Sequence, residues 1–447
     1  MVNNMKIDKY PAYKDSGVEW LGEIPEHWEV SKLGVCLKPV STKNRADLPL
    51  LSITRELGVI IRDIENEEEN HNFIPDDLSG YKVIEKGQFG MNKMKAWQGS
   101  YGISPFTGIV SPAYYVFRIV SNIDPDYFHV AIRSKLYVPF FAQASDGVRI
   151  GQWDLSKSRM KEIPLIIPPL PEQTAIANFL DTKTAKIDQA ISQKQKLIEL
   201  LKERKQIIIQ NAVTKGLDPN VKMKYSGVEW IGEIPEHWNI IPIKYLKSNV
   251  KNAFVDGPFG SNLKSEHFIE NGEVYVIESG FITTGVFIRK AFKTISKSHF
   301  ETIKRSSCKG GDVIIAKIGA NYGMAAELPE LYNEAVVSGN SLKITLNSEK
   351  ILNSIFVKML ELAKILGGFE DIVNVSAQPA LSLGCLNNLK LPISNNLYEQ
   401  QSIVSHIENQ SVKIDNAIDL QQKQIEKLKE YKTILINSAV TGKIKVS

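Results

Sequence analysis

Histidine, cysteine and glycine are the residues whose spacing most directly reveals a catalytic, metal or cofactor site, and none of them has such a spacing here. The seven histidines contain no HxH, HxxxH or HExxH pattern, and the three cysteines, Cys36, Cys308 and Cys385, form no CxxC pair. These spacings exclude a zinc ribbon and a disulfide framework. We expect the cysteines to be small core residues.

Phosphate-binding and cofactor-binding loops are also missing from the sequence. No GxxxxGK[ST] string and no GxG occurs, so the sequence lacks the glycine-rich turns that let a backbone approach a nucleotide. The only Pro-Pro pair, Pro168-Pro169, is followed by Leu170 and not by the aromatic residue of an amino-methyltransferase motif. The sequence predicts a chain without a catalytic centre and without a cofactor of its own.

The composition is that of a globular protein with more than one domain. The 447 residues are 43% apolar and 23% charged, and 54 basic and 50 acidic side chains leave a net charge of +4. The length predicts two or more domains. Because neither a secretory signal nor a run of 18 apolar residues occurs, we expect a cytoplasmic protein. The small net charge neither requires nor excludes a polyanionic partner.

The chain repeats two of its segments. Ser16–Trp28 and Ser226–Trp238 agree at 12 of 13 positions, and Glu172–Thr214 and Glu399–Thr441 agree at 21 of 43. In each copy a short phrase is followed by a variable block and then by a long segment. The offsets of 210 and 227 residues differ, so the second variable block is 17 residues longer than the first.

The two long segments are predicted to be helices that pack on each other. Neither contains proline or glycine, and apolar residues recur at a and d of a seven-residue repeat, as in Leu180, Ile187 and Ile191. We infer that the helices run antiparallel. Polar residues at the same seam are predicted to set the register of the pair, although they could also face a partner: Lys194, Lys205, Gln421 and Lys432.

The variable blocks, residues 29–165 and 239–392, are predicted to be α+β domains. Short β-rich runs bounded by Gly and Asn turns lie in both, with helical stretches near 126–142 and 349–365. Local echoes, such as Ile109-Val110-Ser111 and Val336-Val337-Ser338, indicate that the blocks are divergent copies of one fold. The repeated aromatic residues Trp20, Trp28, Trp230 and Trp238 are predicted to seat each domain on the helical frame. His27 and His237 are predicted to bond a backbone group.

This organisation resembles the DNA-specificity subunit of type I restriction-modification systems, over nearly the whole chain. The entry to the second helix, Asn395-Asn-Leu-Tyr398, departs from the family's proline-rich pattern. The resemblance rests on the phrases Tyr13–Trp28 and Ser226–Trp238, the helix entry Pro168–Gln173, the helix exits Ala212–Gly216 and Ala439–Lys443, and the motifs Asn92–Trp97 with Gly108–Pro112 and Asp256–Ser261 with Gly311-Asp312.

The resemblance implies an α+β fold of two globular target-recognition domains joined by two long conserved helices in an antiparallel coiled coil, with a pseudo-two-fold internal repeat. Each domain would bind one half of an asymmetric bipartite DNA sequence, and the helices would set the spacer and dock two methyltransferase subunits. S-adenosylmethionine, ATP and Mg are then expected on the methyltransferase and restriction/translocase subunits. The implied domains are 1–171 and 215–398 for recognition, with the conserved helices in 172–214 and 399–447.

The DNA-binding residues implied by the resemblance are polar, basic or aromatic side chains in the two blocks, of the types that contact base edges and phosphates. For the first domain they are Asn92, Lys93, Lys95 and Trp97, with Arg149, Gln152 and Trp153 in the loop 146–153. For the second domain they are Ser261, Asn262, Lys264, Lys317, Asn321, Tyr322 and Asn374.

Other functions remain open at this level. A self-contained DNA-modifying or cleaving enzyme would act without partners, and the missing glycine-rich and Pro-Pro motifs count against it. A specificity subunit of a fused or type IIB-like system is a further alternative. A coiled-coil scaffold that binds proteins would show no sequence-selective, salt-sensitive DNA binding.

Overall fold

A computed structural model describes residues 8–63, 74–75, 77–120, 122–149, 152–282, 286–288, 290–370 and 380–446. The chain divides into two compact units, of which the first comprises residues 1–196 and 421–447 and the second residues 197–420. Each unit contains one variable block and part of both long helices. Among the described residues, no helix is both long enough and apolar enough to cross a membrane.

The first unit combines short strands with helices. Its strands are β1 (Tyr13–Asp15), β2 (Glu23–Pro25), β3 (Glu29–Lys32), β4 (Leu37–Val40), β5 (Leu51–Thr54), β6 (Gly58–Ile61), β7 (Lys82–Ile84), β8 (Phe89–Asn92), β9 (Tyr101–Ile103), β10 (Gly108–Val110), β11 (Tyr114–Ile119), β12 (Ser145–Arg149), β13 (Gln152–Leu155) and β14 (Pro164–Ile167). Its helices are α1 (Leu33–Cys36), α2 (Pro125–Ile132), α3 (Val138–Gln143), α4 (Lys157–Lys161) and the first part of α5 (Leu170–Lys215).

A four-stranded antiparallel sheet forms the centre of this unit. Its strand order is β4-β11-β8-β9, and the antiparallel pairs β5-β6 and β7-β10 lie outside it. Phe89 of β8, Phe117 of β11 and Phe128 of α2 are fully buried in one core cluster. Burial of these large rings contributes to the apolar packing between sheet and helices.

The second unit has elements of the same kinds. Its strands are β15 (Met223–Tyr225), β16 (Glu233–Pro235), β17 (Asn239–Pro242), β18 (Phe254–Asp256), β19 (Val274–Ile277), β20 (Lys293–Ile295), β21 (Ser307–Cys308), β22 (Val313–Ala316), β23 (Ala325–Glu327), β24 (Glu334–Val337), β25 (Ser341–Ile344) and β26 (Lys390–Ile393). Its helices are α6 (Lys297–Ile303), α7 (Asn353–Ile365), α8 (Leu383–Asn388) and the first part of α9 (Leu397–Val440).

The strand order of the second unit matches that of the first. The sheet β18-β25-β22-β23 is antiparallel throughout, and its strands follow one another along the chain as β4, β8, β9 and β11 do. A second sheet, β20-β19-β24-β21, contains one parallel pair, β19 with β24. The predicted α+β character of both blocks is confirmed.

The cysteines follow the prediction in two of three positions. Cys36 and Cys308 are buried, whereas Cys385 is partly exposed. Cys385 lies on the short helix α8, where the neighbouring Leu386 takes the buried position facing the core. The expectation that Cys385 is a core residue is therefore wrong.

The predicted long helices are confirmed, and each unit contains a contact between them. In the first unit Ile187 of α5 and Leu435 of α9 belong to one buried cluster, and Lys194 donates a hydrogen bond of 3.0 Å to Gln421. Lys432 also binds Asp188 at 2.6 Å. In the second unit Lys205 binds Asp415 at 2.8 Å. The four polar seam residues thus contact the opposite helix.

Each long helix begins with a Glu-Gln pair that fixes it to its domain. In the first unit the carboxylate of Glu172 accepts hydrogen bonds from the Tyr10 hydroxyl at 2.8 Å and the Trp28 indole Nε1 at 3.0 Å. It also lies 2.6 Å from His27 Nε2. The next residue, the fully buried Gln173, binds three backbone groups: the carbonyls of Pro168 and Asn122 and the amide of Asp124.

The second unit repeats this anchor with one change. Trp238 Nε1 lies 3.1 Å from Glu399, and His237 Nε2 lies 3.1 Å from the same carboxylate. The third donor is the Ser394 hydroxyl, at 2.5 Å, in place of a tyrosine. Gln400 binds the carbonyls of Ser394 and Lys350 and the amide of Leu352. The entry to α9 that departs from the family's sequence pattern therefore has an equivalent attachment.

The repeated aromatic and histidine residues have structural roles, with one correction. Trp28 and Trp238 are buried and donate to the helix-start glutamates, which agrees with their predicted role in attaching each domain to the long helices. Trp20 packs against Phe140, with ring centroids 4.2 Å apart. The prediction that the two histidines bond backbone groups is wrong, because both contact the helix-start carboxylates.

The hydrogen bonds also determine the charge of the anchor. Burial opposes ionisation of Glu172, but the donors Trp28, Tyr10 and His27 outweigh it and lower the pKa of the carboxyl. The pKa of Glu399 is lowered in the same way, against burial, by Ser394 and the second unit's His–Trp pair. Both glutamates are therefore held as carboxylates at neutral pH.

Truncation of either anchor is expected to destabilise its own unit. Glu172→Ala leaves the buried Trp28 indole N–H without an acceptor, and we expect a loss of about 1 to 3 kcal/mol in the free energy of unfolding. Glu399→Ala should have a similar effect through Trp238. Thermal unfolding measures the loss, with Glu408→Ala, at an exposed position on α9, as the control. Equal melting of all three variants and the parent would contradict the assignment.

Acid should weaken the same attachment. A carboxyl whose pKa is lower in the folded than in the unfolded state contributes stability above its unfolded pKa and loses it as the pH falls through the folded value. Stability should thus decline below the ordinary glutamate value of 4.5. The double variant Glu172→Gln/Glu399→Gln should be less stable at neutral pH and show a shallower decline in acid. An acid profile parallel to that of the parent would disprove this role.

Candidate nucleic-acid interface

One edge of the central sheet gathers the predicted residues of the first unit. Strands β4 and β8 both pair antiparallel with β11, so they run in the same direction and end at the same edge. The loops that follow β4 and β8 therefore emerge beside the start of β11. Residues 41–47 and 93–99 occupy these loops.

The end of β8 places its predicted residues in different environments. Asn92 is buried, where its Nδ2 donates to the Tyr114 hydroxyl at 3.2 Å and its Oδ1 accepts from the Met94 amide. Asn92 therefore shapes the turn, and its prediction as a DNA-contacting residue is not supported by this position. Lys93 is partly exposed and pairs with Asp154 at 3.1 Å, whereas Lys95 is exposed.

Two predicted stretches meet through stacked tryptophans. The rings of Trp97 and Trp153 are partly buried and lie 5.2 Å apart at an interplanar angle of 25°. Gly147 provides the space for this stack, because a Cβ there would lie 2.9 Å from Trp153 Nε1. The stack thus joins the turn after β8 to β13.

The stretch predicted as a loop at 146–153 contains most of a β-hairpin. Strands β12 and β13 pair antiparallel with a register shift between Gly147 and Arg149, and Arg149 lies opposite Gln152. Trp153 lies directly opposite Gly147, on the side of the shift where the two strands pair without interruption. The side chains of Arg149 and Gln152 lie outside the described residues.

A lysine cluster at this edge adds Lys43, Lys82 and Lys157, which were not predicted, to the predicted Lys93. Lys82 Nζ donates to the Tyr114 carbonyl at 2.6 Å, and Lys82 and Lys157 lie 5.9 and 5.7 Å from the centre of the Tyr115 ring. Burial lowers the pKa of Lys82, and the nearby charges of Lys43, Lys157 and Lys93 lower it further. The three lysines that were not predicted lie far apart, at positions 43, 82 and 157, so no linear charge run could reveal them.

The second unit presents the corresponding edge. Strands β18 and β22 flank β25 and end at the same side, so the loops that follow them emerge together. The loop after β18 carries Ser261, Asn262 and Lys264, all exposed. The loop after β22 begins with Lys317. The structure therefore brings these predicted residues to one edge.

Lys317 and a second basic residue bind the acidic end of β18. Lys317 Nζ lies 3.7 Å from Asp256, and Arg305 donates to the same carboxylate at 3.0 Å. Lys317 is mostly buried, while Arg305 is exposed. Arg305 was not predicted, because it lies far from the loops in sequence and has no surrounding motif.

The remaining predicted residues follow β22. Asn321 is exposed, and Tyr322 is partly buried with Lys364 Nζ 4.7 Å from its ring centre. Tyr322 also packs edge-on against Phe369. Asn374 lies outside the described residues.

Both edges expose polar and positively charged groups. The exposed groups are ammonium, guanidinium, amide and hydroxyl groups, which bind phosphate oxygens and base edges. Within the described ranges, no group of three or more His, Cys, Asp or Glu side chains is arranged to hold a metal ion. The arrangement can bind an extended polyanion.

Known proteins resemble the chain over almost its full length. The specificity subunits of type I restriction enzymes MjaVIII and MjaX (putative) from Methanocaldococcus jannaschii are 25% and 24% identical, over 95% of this chain and 94% and 96% of theirs. A solved chain of a type I R-M system has a TM-score of 0.67 at 12% identity, covering 93% of this chain and 98% of that one. The HsdS subunit from Thermoanaerobacter tengcongensis has a TM-score of 0.56 at 13% identity, covering 94% and 98%.

The solved structures support the fold, and a family model supports the identity. The model for the type I restriction modification DNA specificity domain matches residues 83–200 and 259–430, together more than half of the chain. The two matched ranges include residues 83–165 and 259–392 of the variable blocks and most of each long helix. The resemblance inferred from the sequence is thereby confirmed, and the chain belongs to the family of type I restriction-modification DNA specificity subunits.

Proposed function

We propose that each unit reads one half of an asymmetric bipartite DNA sequence through the sheet edge described above. The observation that carries the proposal is that two units of the same strand order present different side chains at the same edge. The first edge carries a lysine cluster and paired tryptophans, whereas the second carries Ser261, Asn262 and Lys264. Two units that share a strand order but expose different side chains could bind two different half-sites. The chain would contribute DNA recognition and no catalysis.

The recognition domains of this proposal comprise residues 1–171 and 215–398, and the conserved helices lie in 172–214 and 399–447. A pseudo-two-fold repeat and an antiparallel coiled coil are supported by matching ion pairs. Lys205 binds Asp415, and their counterparts at the repeat offset of 227 residues, Lys432 and Asp188, also bind each other. Antiparallel pairing explains why each lysine meets the aspartate of the other copy.

The helices would fix the spacer between the half-sites. A helix of 46 residues is roughly 69 Å long at 1.5 Å per residue, which exceeds the roughly 34 Å of one DNA turn. The repeated frame would also offer equivalent docking surfaces to two methyltransferase subunits. Those subunits would supply S-adenosylmethionine, and restriction/translocase subunits would use ATP and Mg.

Replacement of one variable block tests the assignment of half-sites. The chain is co-expressed with the modification subunits of its own system, and methylated positions are mapped genome-wide. We expect an asymmetric two-part motif, and exchange of residues 239–392 for another block of the family should change one part and keep the other. A motif that survives the exchange unchanged, or no motif at all, is incompatible with the proposal.

The lysine cluster should contribute mainly electrostatic binding. Lys43→Ala and Lys157→Ala, both at exposed positions, are each expected to weaken DNA binding for all sequences and to reduce the slope of log K against log salt by about 1. Lys14→Ala, at an exposed position on β1, is the matched control. Binding isotherms of the assembled complex at several salt concentrations give the slope. A slope equal to that of the control would refute the contact.

A further inference from the structure

Phe259 is an apolar ring exposed at the edge of the second unit. It lies in the turn that follows β18 and is 71% exposed, although an aromatic side chain of this size normally contributes to a core. Its neighbours in the turn are Pro258 and Gly260, and the exposed Ser261 and Asn262 follow. The ring is therefore accessible to a binding partner.

The first side of the turn is fixed by backbone contacts. Gly257 approaches the turn between β24 and β25 so closely that a Cβ would lie 1.8 Å from the Ser338 carbonyl oxygen. Its amide donates to the Ser341 carbonyl at 3.0 Å. The Asp256 carbonyl accepts from the Ser306 hydroxyl at 2.8 Å. Only glycine fits at this position, so the direction of the turn is set by packing.

The second side of the turn is fixed by hydrogen bonds. The Asn262 amide donates to the Phe259 carbonyl at 2.7 Å, and the Asn262 carbonyl lies 2.9 Å from His299 Nε2. The Lys264 amide donates to His267 Nδ1 at 3.0 Å. The two histidine rings stack with centroids 4.0 Å apart. A turn held on both sides presents its aromatic ring with little conformational entropy left to lose on binding.

Polar and charged groups surround Phe259. Lys264 and Arg305 lie in or beside the turn, and both are exposed, with Glu266 and Asp256 as their ion-pair partners. A cleft of about 590 Å³ adjoins the turn and is lined by Pro258, Lys264, Glu278, Ser279 and Asn340 among others. A ligand that suits this surface has a flat apolar face bordered by negative charge. Stacked bases between two phosphate backbones have both properties.

We propose that Phe259 stacks on a base of the half-site read by the second unit, as a wedge at a base step. This inference rests on the proposed function and adds to it a specificity-determining contact. An inserted ring partly unstacks the step, so sequences whose steps open easily, such as TA and CA/TG, are favoured at that position. Phe259 thus reads deformability, while its polar neighbours bind base edges and phosphates.

The test uses the complete complex with its modification subunits and a duplex carrying 2-aminopurine at successive positions of the second half-site. Phe259→Ala is expected to weaken binding roughly 10- to 100-fold and to abolish the change in 2-aminopurine fluorescence at one step. Phe259→Trp should retain both. The salt slope should stay unchanged for Phe259→Ala and decrease for Lys264→Ala. Tyr332→Ala, at a fully exposed ring of the same unit, is the matched control.

The experiment can contradict the wedge at Phe259 without contradicting DNA reading by the second unit. Parent-like affinity and fluorescence for Phe259→Ala, with weakened binding for Lys264→Ala, would overturn the wedge and leave DNA reading intact. Loss of subunit assembly in the absence of DNA would overturn it in favour of a protein contact. If block replacement leaves the motif unchanged, both proposals fail. Thermal unfolding of Phe259→Ala verifies the fold, which should persist because the ring lies outside the core.

Discussion

The carboxylate at the start of each long helix is the interaction on which the organisation of the chain depends. Glu172 and Glu399 each bind a buried tryptophan indole, a histidine ring and one hydroxyl group, and the glutamine that follows binds three backbone groups. A helix of more than forty residues cannot bury its apolar stripe in one small domain, so its direction relative to that domain must be fixed at the end. Indole and amide hydrogen bonds provide directionality that apolar packing lacks.

The anchors belong to the repeated frame, whereas the recognition edges belong to the variable blocks. None of the groups that bind Glu172 comes from residues 29–165, and Gln173 binds only backbone groups of that block, those of Asn122 and Asp124. The side chains of the block can therefore diverge without loss of its attachment. The edge itself is set by strand order. Because β4 and β8 end together, as do β18 and β22, loops of unrelated sequence are brought side by side. The repeated frame and the strand order determine where the loops lie, and the residues of the loops determine which groups a ligand would meet.

Local patterns in the sequence predicted the frame well but predicted the recognition edges less well. The absence of proline and glycine, together with the seven-residue spacing, was sufficient for the long helices, and polar seam residues such as Lys194 and Lys205 could be identified from spacing alone. The lysine cluster depends on contacts between distant segments, which no local pattern encodes. Asn92 is of a residue type that often contacts DNA, yet its side-chain amide is already bonded to the Tyr114 hydroxyl and to the Met94 backbone amide. The type of a residue shows which contacts its side chain could make, and its burial in the fold decides which of them it makes.

The indole and the carboxylate of each anchor lie far apart along the chain, so the hydrogen bond between them closes a long loop. Formation of the first anchor closes a loop of 144 residues, and formation of the second closes one of 161. Since the entropy of loop closure grows only with the logarithm of length, the 17 additional residues cost about 0.1 kcal/mol. Insertions between the repeated phrase and the long helix therefore add very little to the entropic cost of closing this loop. Recognition blocks of different lengths can be accommodated by one frame without any compensating change in the anchor.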